Sequence, residues 1–115
     1  MASKDTQHFT DANFKAEVLD AEVPVLVDMY ATWCGPCRAL APTVERIAAE
    51  WRGRIKVGKL DVDENQAIAQ RYGIASIPAL LLFKGGAVVD GVVGAVPKSQ
   101  IEKLLMRHVG PAAAA

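Results

Sequence analysis

Trp33-Cys34-Gly35-Pro36-Cys37 stands between an almost continuously apolar run and an amphipathic helical pattern. The apolar run, residues 23–31 (VPVLVDMYA), is typical of a strand that is covered on both faces. After Pro36, apolar residues recur at helical spacing as far as Trp51. The two cysteines are therefore predicted to lie where a buried strand passes into a helix.

Strand and helix patterns continue to alternate along the rest of the chain. The predicted strands are at 7–9, where the signal is weak, and at 23–31, 55–62, 79–83 and 88–93. The predicted helices are around Phe14–Leu19, at 36–51, at 66–72 and around 101–108. Thr10 or Asp11 should cap the first helix, Pro42 should bend the second, and Gly73 should end the third. Gly85-Gly86 predicts a tight turn that joins the last two strands as an antiparallel hairpin. This order predicts an α/β fold, with a central mixed sheet of about five strands and about four helices on both faces.

Length and charge narrow the class of protein. The chain has 115 residues, which predicts one domain at 1–109 followed by a flexible C-terminal tail at 110–115. Thirteen basic and thirteen acidic residues give a net charge of zero, which argues against a nucleic-acid binder. The start of the chain resembles no signal peptide, and no apolar run could span a membrane. We therefore expect a protein of a reducing compartment.

The chemistry is expected at Cys34 and Cys37, which are the only cysteines of the chain. A thiolate at a helix N-terminus is stabilised by unpaired N–H groups and the helix dipole, so the pKa of Cys34 should fall below its usual value. Pro36 suits the first helical turn because it lacks an N–H. The three-residue spacing places both sulfurs close enough to bridge, which favours a reversible redox pair.

Three other interpretations of this cysteine pair remain open. A purely structural disulfide would close a loop too small to stabilise the fold much. A zinc site would need further ligands, and His8 and His108 are isolated and distant in sequence. Two inert buried thiols are the third interpretation, although a strand-to-helix turn should expose at least one of them.

Asp28 interrupts the apolar strand six residues before Cys34. The simpler interpretation is an aspartate at a strand end that leans into solvent or caps a neighbour. The functional interpretation is a desolvated carboxylate with a raised pKa, which accepts the proton of Cys37 directly or through a water. Lys59 alone would be interpreted as a solvent-facing strand residue.

Eight segments of this chain resemble those of the thioredoxin family, in the same order. Besides residues 33–37, they are VLVD at 25–28, AP at 41–42, KLDVD at 59–63, YGI at 72–74, IP at 77–78, FKGG at 83–86 and VGA at 93–95. The resemblance extends over about residues 6–109 and implies the thioredoxin fold.

This resemblance implies a role for each residue of the site. Cys34 would be the nucleophile and Cys37 the resolving thiol of a Cys34–Cys37 disulfide, while Lys59 would neighbour Asp28 and tune its proton uptake. Pro78 would follow a cis peptide bond. The implied substrate-docking surface comprises Trp33, Gly35, Pro36, Ile77, Pro78 and Gly94. Ser76 and Ala79 differ from the glycine and threonine that are common in the family, so substrate preference should differ.

The resemblance also implies an activity and its partners. The chain would be a protein-disulfide reductase with no bound cofactor or metal, recharged from NADPH by a separate thioredoxin reductase. Its substrates would be disulfide-containing proteins of the ribonucleotide reductase, peroxiredoxin and methionine sulfoxide reductase types, and it would act as a cytoplasmic monomer, away from nucleic acid and membranes. Gly35-Pro36 matches the reducing members. The alternatives are a disulfide oxidant or isomerase of the same fold, and a non-enzymatic assembly partner.

Overall fold

A computed structural model describes residues 5–110, and the predicted order of elements is confirmed. The strands are β1 (Thr6–His8), β2 (Val25–Tyr30), β3 (Lys56–Asp61), β4 (Ala79–Lys84) and β5 (Ala87–Val93). The helices are α1 (Gly35–Glu50), α2 (Gln66–Arg71) and α3 (Lys98–His108), and a π-helical segment spans Lys15–Leu19.

The five strands form one mixed sheet in the order β1-β3-β2-β4-β5. The first three strands in this order are parallel, whereas β4 runs antiparallel to β2 and β5 runs antiparallel to β4. Gly85 and Gly86 join β4 to β5 with φ angles of 62° and 83°, which glycine adopts without strain. The hairpin predicted from this pair of glycines is therefore confirmed.

Side chains that alternate along β2 point into two separate cores. Leu26 packs on one side of the sheet with apolar residues of α1 and α3. Val25, Val27 and Met29 pack on the other side, with the π-helical segment and α2. Helices therefore cover both faces, as predicted. By the same alternation, Asp28 points to the α1 side of the sheet.

The ends of two helical segments differ in detail from the prediction. Thr10 accepts a hydrogen bond from Asn13 N–H at 3.0 Å in the turn before the π-helical segment, whose N-cap is Phe14 and which has no side-chain cap, so the predicted cap at Thr10 or Asp11 is wrong. Asp11, the other predicted cap, instead accepts from the N–H groups of Ala67 and Ile68 at 3.2 and 3.0 Å. Asp11 thus caps α2, which lies more than fifty residues along the chain.

The long helix α1 contains Pro42, as predicted, and the bend expected there stays a prediction. Gly110 follows α3 with a φ of 90°. The remainder of the predicted tail, residues 111–115, lies outside the described residues. None of the helices within residues 5–110 combines the length and the apolar character needed to cross a membrane.

Candidate active site

A disulfide joins Cys34 and Cys37 at the N-terminus of α1, with their Cα atoms 5.2 Å apart. Cys34 is the N-cap residue, with extended backbone angles, and its Sγ accepts a hydrogen bond from Cys37 N–H at 3.2 Å. Pro36 occupies the first turn. The first cysteine thus lies where unpaired helix N–H groups favour negative charge on sulfur.

Both cysteines are buried, which corrects one expectation from the sequence. Cys34 is 4% exposed and Cys37 is 3% exposed, so the turn does not leave either residue open to solvent. They pack in one cluster with Ala31, and the partly buried Tyr30 and Ile77 close around them. The disulfide therefore lies beneath the surface that these surrounding side chains form.

The peptide bond between Ile77 and Pro78 is cis, and this loop packs beside the disulfide. Pro78 is buried, and its carbonyl accepts a hydrogen bond from Gly94 N–H at 2.8 Å. Gly94 has a φ of 100°, a conformation that other residues rarely adopt. The structure therefore brings Ile77, Pro78 and Gly94 together next to the cysteine pair.

Trp33 lies on the exposed side of the same site. Its side chain is 67% exposed, and its indole Nε1–H donates to the Asp63 carboxylate at 2.7 Å. Asp63 follows β3, where its own N–H donates to the Asp61 side chain at 2.9 Å. Sequence reasoning assigned no role to Asp63, although its place in the acidic end of KLDVD was a usable signal.

Asp28 is fully buried beneath this site, on the strand that precedes it. Neither of its carboxylate oxygens has a hydrogen-bond partner among the described residues. Burial raises the pKa of Asp28 to about 6, although the positive charge of Lys59 partly offsets this rise. The solvent-facing interpretation of Asp28 is therefore wrong.

Lys59 lies directly opposite Asp28 in the parallel pair of β2 and β3. Its ammonium group sits 4.7 Å from the ring centroid of Tyr30, a cation–π contact that helps to hold it there. Lys59 and Cys37 line the same cavity of about 450 Å³, which reaches the surface beside Arg38. The cavity therefore opens next to Cys37 and Lys59, whereas Asp28 is not part of its lining.

The zinc interpretation lacks a ligand set in the part of the chain that is described. Across residues 5–110, no three side chains of His, Cys, Asp or Glu are grouped so as to hold a metal ion. The site therefore consists of a cysteine pair that closes a disulfide at a helix N-terminus, after a strand that carries a buried carboxylate. This fold and this site define a thiol–disulfide oxidoreductase.

Comparison with known proteins gives the family. The thioredoxin family model matches residues 5–107. Thioredoxin 1 of Nostoc sp. is 57% identical over 100 residues, which cover 87% of this chain and 94% of that protein. The thioredoxin of Synechocystis sp. is 53% identical over 104 residues, which cover 90% and 97%. The chain belongs to the thioredoxin family.

Membership of this family and the CxxC disulfide establish protein-disulfide reductase activity. They do not favour the oxidant, isomerase or assembly-partner alternatives. The family acts on disulfide-containing proteins and carries no cofactor.

Proposed function

We propose that Cys34 is the attacking sulfur and Cys37 the resolving sulfur of this reductase. The observation that carries the proposal is the place of Cys34 at the N-cap of α1, where the Cys37 N–H donates to its sulfur. In the reduced protein, the Cys34 thiolate attacks one sulfur of a substrate disulfide, and the other substrate sulfur leaves as a thiol. Cys37 then displaces the bound sulfur and closes the Cys34–Cys37 disulfide. Two electrons and two protons have passed to the substrate.

Asp28 is proposed to take the proton that Cys37 loses in the second step. A carboxyl with a pKa of about 6 can accept a proton from a thiol and release it again near neutral pH. Lys59 would tune this step, because its positive charge favours the ionised carboxylate of Asp28. Lys59 and Cys37 line one cavity, which supports access of water to the Cys37 side of this step.

The proposed docking surface surrounds the disulfide and comprises Trp33, Gly35, Pro36, Ile77, Pro78 and Gly94. The backbone of Ile77 would pair with an extended segment of the substrate. Support comes from the packing of Ile77 against the cysteine cluster and from the exposure of the Trp33 ring. Apolar groups around a buried redox pair allow many partner proteins to dock without strong charge complementarity.

The proposed electron source is NADPH, through a separate thioredoxin reductase. The proposed substrates are proteins of the ribonucleotide reductase, peroxiredoxin and methionine sulfoxide reductase types. We further propose that the protein works as a cytoplasmic monomer, with residues 1–109 as the functional domain. The reductase assignment supports a reducing compartment, because the dithiol must be regenerated after every turnover.

The roles of the two cysteines can be tested in a coupled assay. NADPH consumption is followed with thioredoxin reductase and a disulfide-containing protein, using the wild type and the Cys34→Ser and Cys37→Ser variants. Turnover should be lost in both variants, since each lacks one sulfur of the cycle. Equal turnover remaining in both would contradict the assigned roles. Full turnover in a double variant that carries both Cys34→Ser and Cys37→Ser would instead favour a role independent of the thiols.

The role of Asp28 needs a measurement that separates the two steps. In single-turnover kinetics at pH 7.5, Asp28→Asn should leave the first attack unchanged and slow resolution about tenfold or more, because the proton acceptor is lost. Asp90→Asn is the control, since Asp90 lies on β5 in ion pairs with α3. If Asp28→Asn resolves at the wild-type rate, Asp28 is not the acceptor.

A further inference from the structure

The ring of Tyr30 contacts two parts of the site at once. Tyr30 is the last residue of β2, and its half-buried side chain packs against the cluster that contains Cys34 and Cys37. The Lys59 ammonium group lies over the face of the same ring, with its nitrogen 4.7 Å from the ring centroid. The proton-transfer step proposed above assigns no role to this ring.

The sheet places Tyr30 and Lys59 on the same side as Asp28. Tyr30 follows Asp28 by two residues on β2, so the two side chains leave the strand in the same direction. Lys59 is opposite Asp28 in the parallel pair of β2 and β3, and Asp61 is opposite Tyr30. The Lys59 ammonium group therefore has the Asp28 carboxyl and the Tyr30 ring as neighbours on one face of the sheet.

Other places in the site compete for the Lys59 ammonium group. Its stem is long and flexible, and an ammonium group is strongly hydrated. The cavity of about 450 Å³ that Lys59 lines reaches solvent beside the exposed Arg38 and also presents the half-buried Glu45. Water and the Glu45 carboxylate thus both draw this charge away from Asp28. A cation over a partly exposed ring gains roughly a two- to fivefold preference for that place, which is enough to decide where the charge resides.

The ring that holds the ammonium group is neutral near neutral pH. Burial, and then the nearby carboxylates of Asp61 and Asp28, raise the pKa of the Tyr30 phenol above its usual value. The other charged groups around the pair are Arg38 and Glu45 of α1, which line the cavity. The contact with Lys59 is therefore one between a cation and the face of an uncharged ring.

We propose that Tyr30 is a positioning residue of this reductase, whose ring face holds the Lys59 ammonium group beside Asp28 and so sets how readily that carboxyl accepts the proton of the resolving thiol. The inference rests on the proposed function, in which Asp28 is the proton acceptor and Lys59 tunes it. Without the ring, the ammonium group spends more time in water or near other partners. The Asp28 carboxyl then holds its proton more tightly, and less of the ionised acceptor is present at a given pH.

The test is a double-mutant cycle between Tyr30 and Lys59. Tyr30→Leu removes the ring but keeps an apolar side chain, Tyr30→Phe keeps the ring without its hydroxyl, and Lys59→Gln removes the charge. The first measurement is the pKa of Asp28, from an NMR titration of its carboxyl carbon in the oxidised protein. The second is the pH at which resolution reaches half its maximal rate in single-turnover kinetics with the reduced protein. Urea unfolding of each variant records any general loss of stability separately.

Tyr30→Leu should raise both values by about half of the rise that Lys59→Gln causes, because the ammonium group loses its preference for the ring. Adding Tyr30→Leu to Lys59→Gln should cause no further rise, since the ring then has no cation to hold. Tyr30→Phe should restore the wild-type values. The proposal is overturned if Tyr30→Leu leaves both values unchanged, if it raises them equally with and without the Lys59 charge, or if Tyr30→Phe raises them as much.

Pentafluorophenylalanine incorporated at position 30 keeps the test decisive should Tyr30→Leu not fold. It has nearly the shape of phenylalanine, but its fluorine atoms withdraw negative charge from the ring face, so the ring no longer attracts a cation. We expect it to raise both values as Tyr30→Leu does, and values equal to those of Tyr30→Phe would refute the inference. A rise with Lys59→Gln but with no change at position 30 overturns only this inference. No rise with Lys59→Gln would contradict the tuning role in the proposed function as well.

Discussion

Replacement of Asp28 by asparagine should stabilise the folded protein at neutral pH, even though it removes a residue of the proposed mechanism. The carboxylate is fully buried and has no hydrogen-bond partner among the described residues. Asparagine has nearly the same shape but no charge. The substitution therefore removes the cost of burying an ion while leaving the packing of β2 unchanged.

The size of this effect follows from the pKa of the carboxyl. A rise from 3.8 to about 6 means that folding disfavours the ionised form by about 3 kcal/mol relative to the protonated form. The amide of asparagine is left without partners in the same way as the protonated acid. We therefore expect Asp28→Asn to increase the free energy of unfolding by roughly 2–3 kcal/mol at pH 7.5.

The dependence on pH has a definite sign. Because its pKa is raised in the folded state, the protonated Asp28 side chain contributes to the free energy of unfolding, and this contribution is fully present below about pH 3.8. That contribution is lost as the pH rises from there through about 6. The difference in stability between Asp28→Asn and the wild type should accordingly be close to zero near pH 3.5 and reach its maximum above pH 7.

The measurement is urea unfolding of both oxidised proteins at several pH values between 3.5 and 7.5. Asp90→Asn serves as a control with the opposite sign, because hydrogen bonds from Arg107 and His108 lower the pKa of Asp90 to about 2. The ionised Asp90 side chain contributes to the free energy of unfolding above about pH 3.8, and this contribution is lost as the pH falls towards 2. The Asp90 side chain is 23% exposed, so solvent reduces its effect to roughly 1 kcal/mol of destabilisation at pH 7.5. If Asp28→Asn destabilises the protein at pH 7.5, or shifts its stability equally at every pH, the argument from a desolvated carboxylate is refuted.

Two further substitutions test the surroundings of Asp28 and the packing of the sheet. Lys59→Gln should raise the pKa of Asp28 above about 6, since it removes the charge that favours the carboxylate. An NMR titration of the Asp28 carboxyl carbon measures this pKa, and the control variant Lys56→Gln should leave it unchanged. Gly58→Ala should destabilise the fold by about 2 kcal/mol in urea unfolding, because the new Cβ would lie 2.3 Å from a ring carbon of Phe9. A wild-type midpoint for Gly58→Ala would mean that Phe9 moves aside without loss of packing.

The sequence predicted most of the fold because its local signals agree with the tertiary structure. The apolar run around β2 suits a central strand with a core on each side, and Gly85-Gly86 supplies the positive φ angles of the hairpin. The π-helical form of Lys15–Leu19 was not predicted, since a helical stripe of apolar residues does not separate i→i−5 from i→i−4 bonding. The cap that Asp11 provides for α2 was also missed, because that contact joins residues distant in sequence.

The candidate site was predictable to the extent that its chemistry is local. Cys34 and Cys37 are neighbours on one helical turn, so their spacing predicted that the sulfurs can bridge, but their burial depends on the loop that contains Ile77. The partnership of Asp28 with Lys59 depends on the register of two strands, which a single sequence does not specify. For these two residues the family resemblance supplied what the local pattern could not.

The central claim is that Cys34 attacks the substrate and Cys37 releases it. The most direct test incubates reduced Cys37→Ser and reduced Cys34→Ser with an excess of a disulfide-containing protein, then measures the intact mass of each product. Cys37→Ser should accumulate a mixed disulfide, which peptide mapping places on Cys34, because no second sulfur remains to resolve it. Cys34→Ser should form little adduct over the same time, because the remaining sulfur lies within the first turn of α1 and not at its N-cap, where unpaired helix N–H groups stabilise a thiolate. Equal adduct in the two variants, or faster adduct formation on Cys37, would contradict the account.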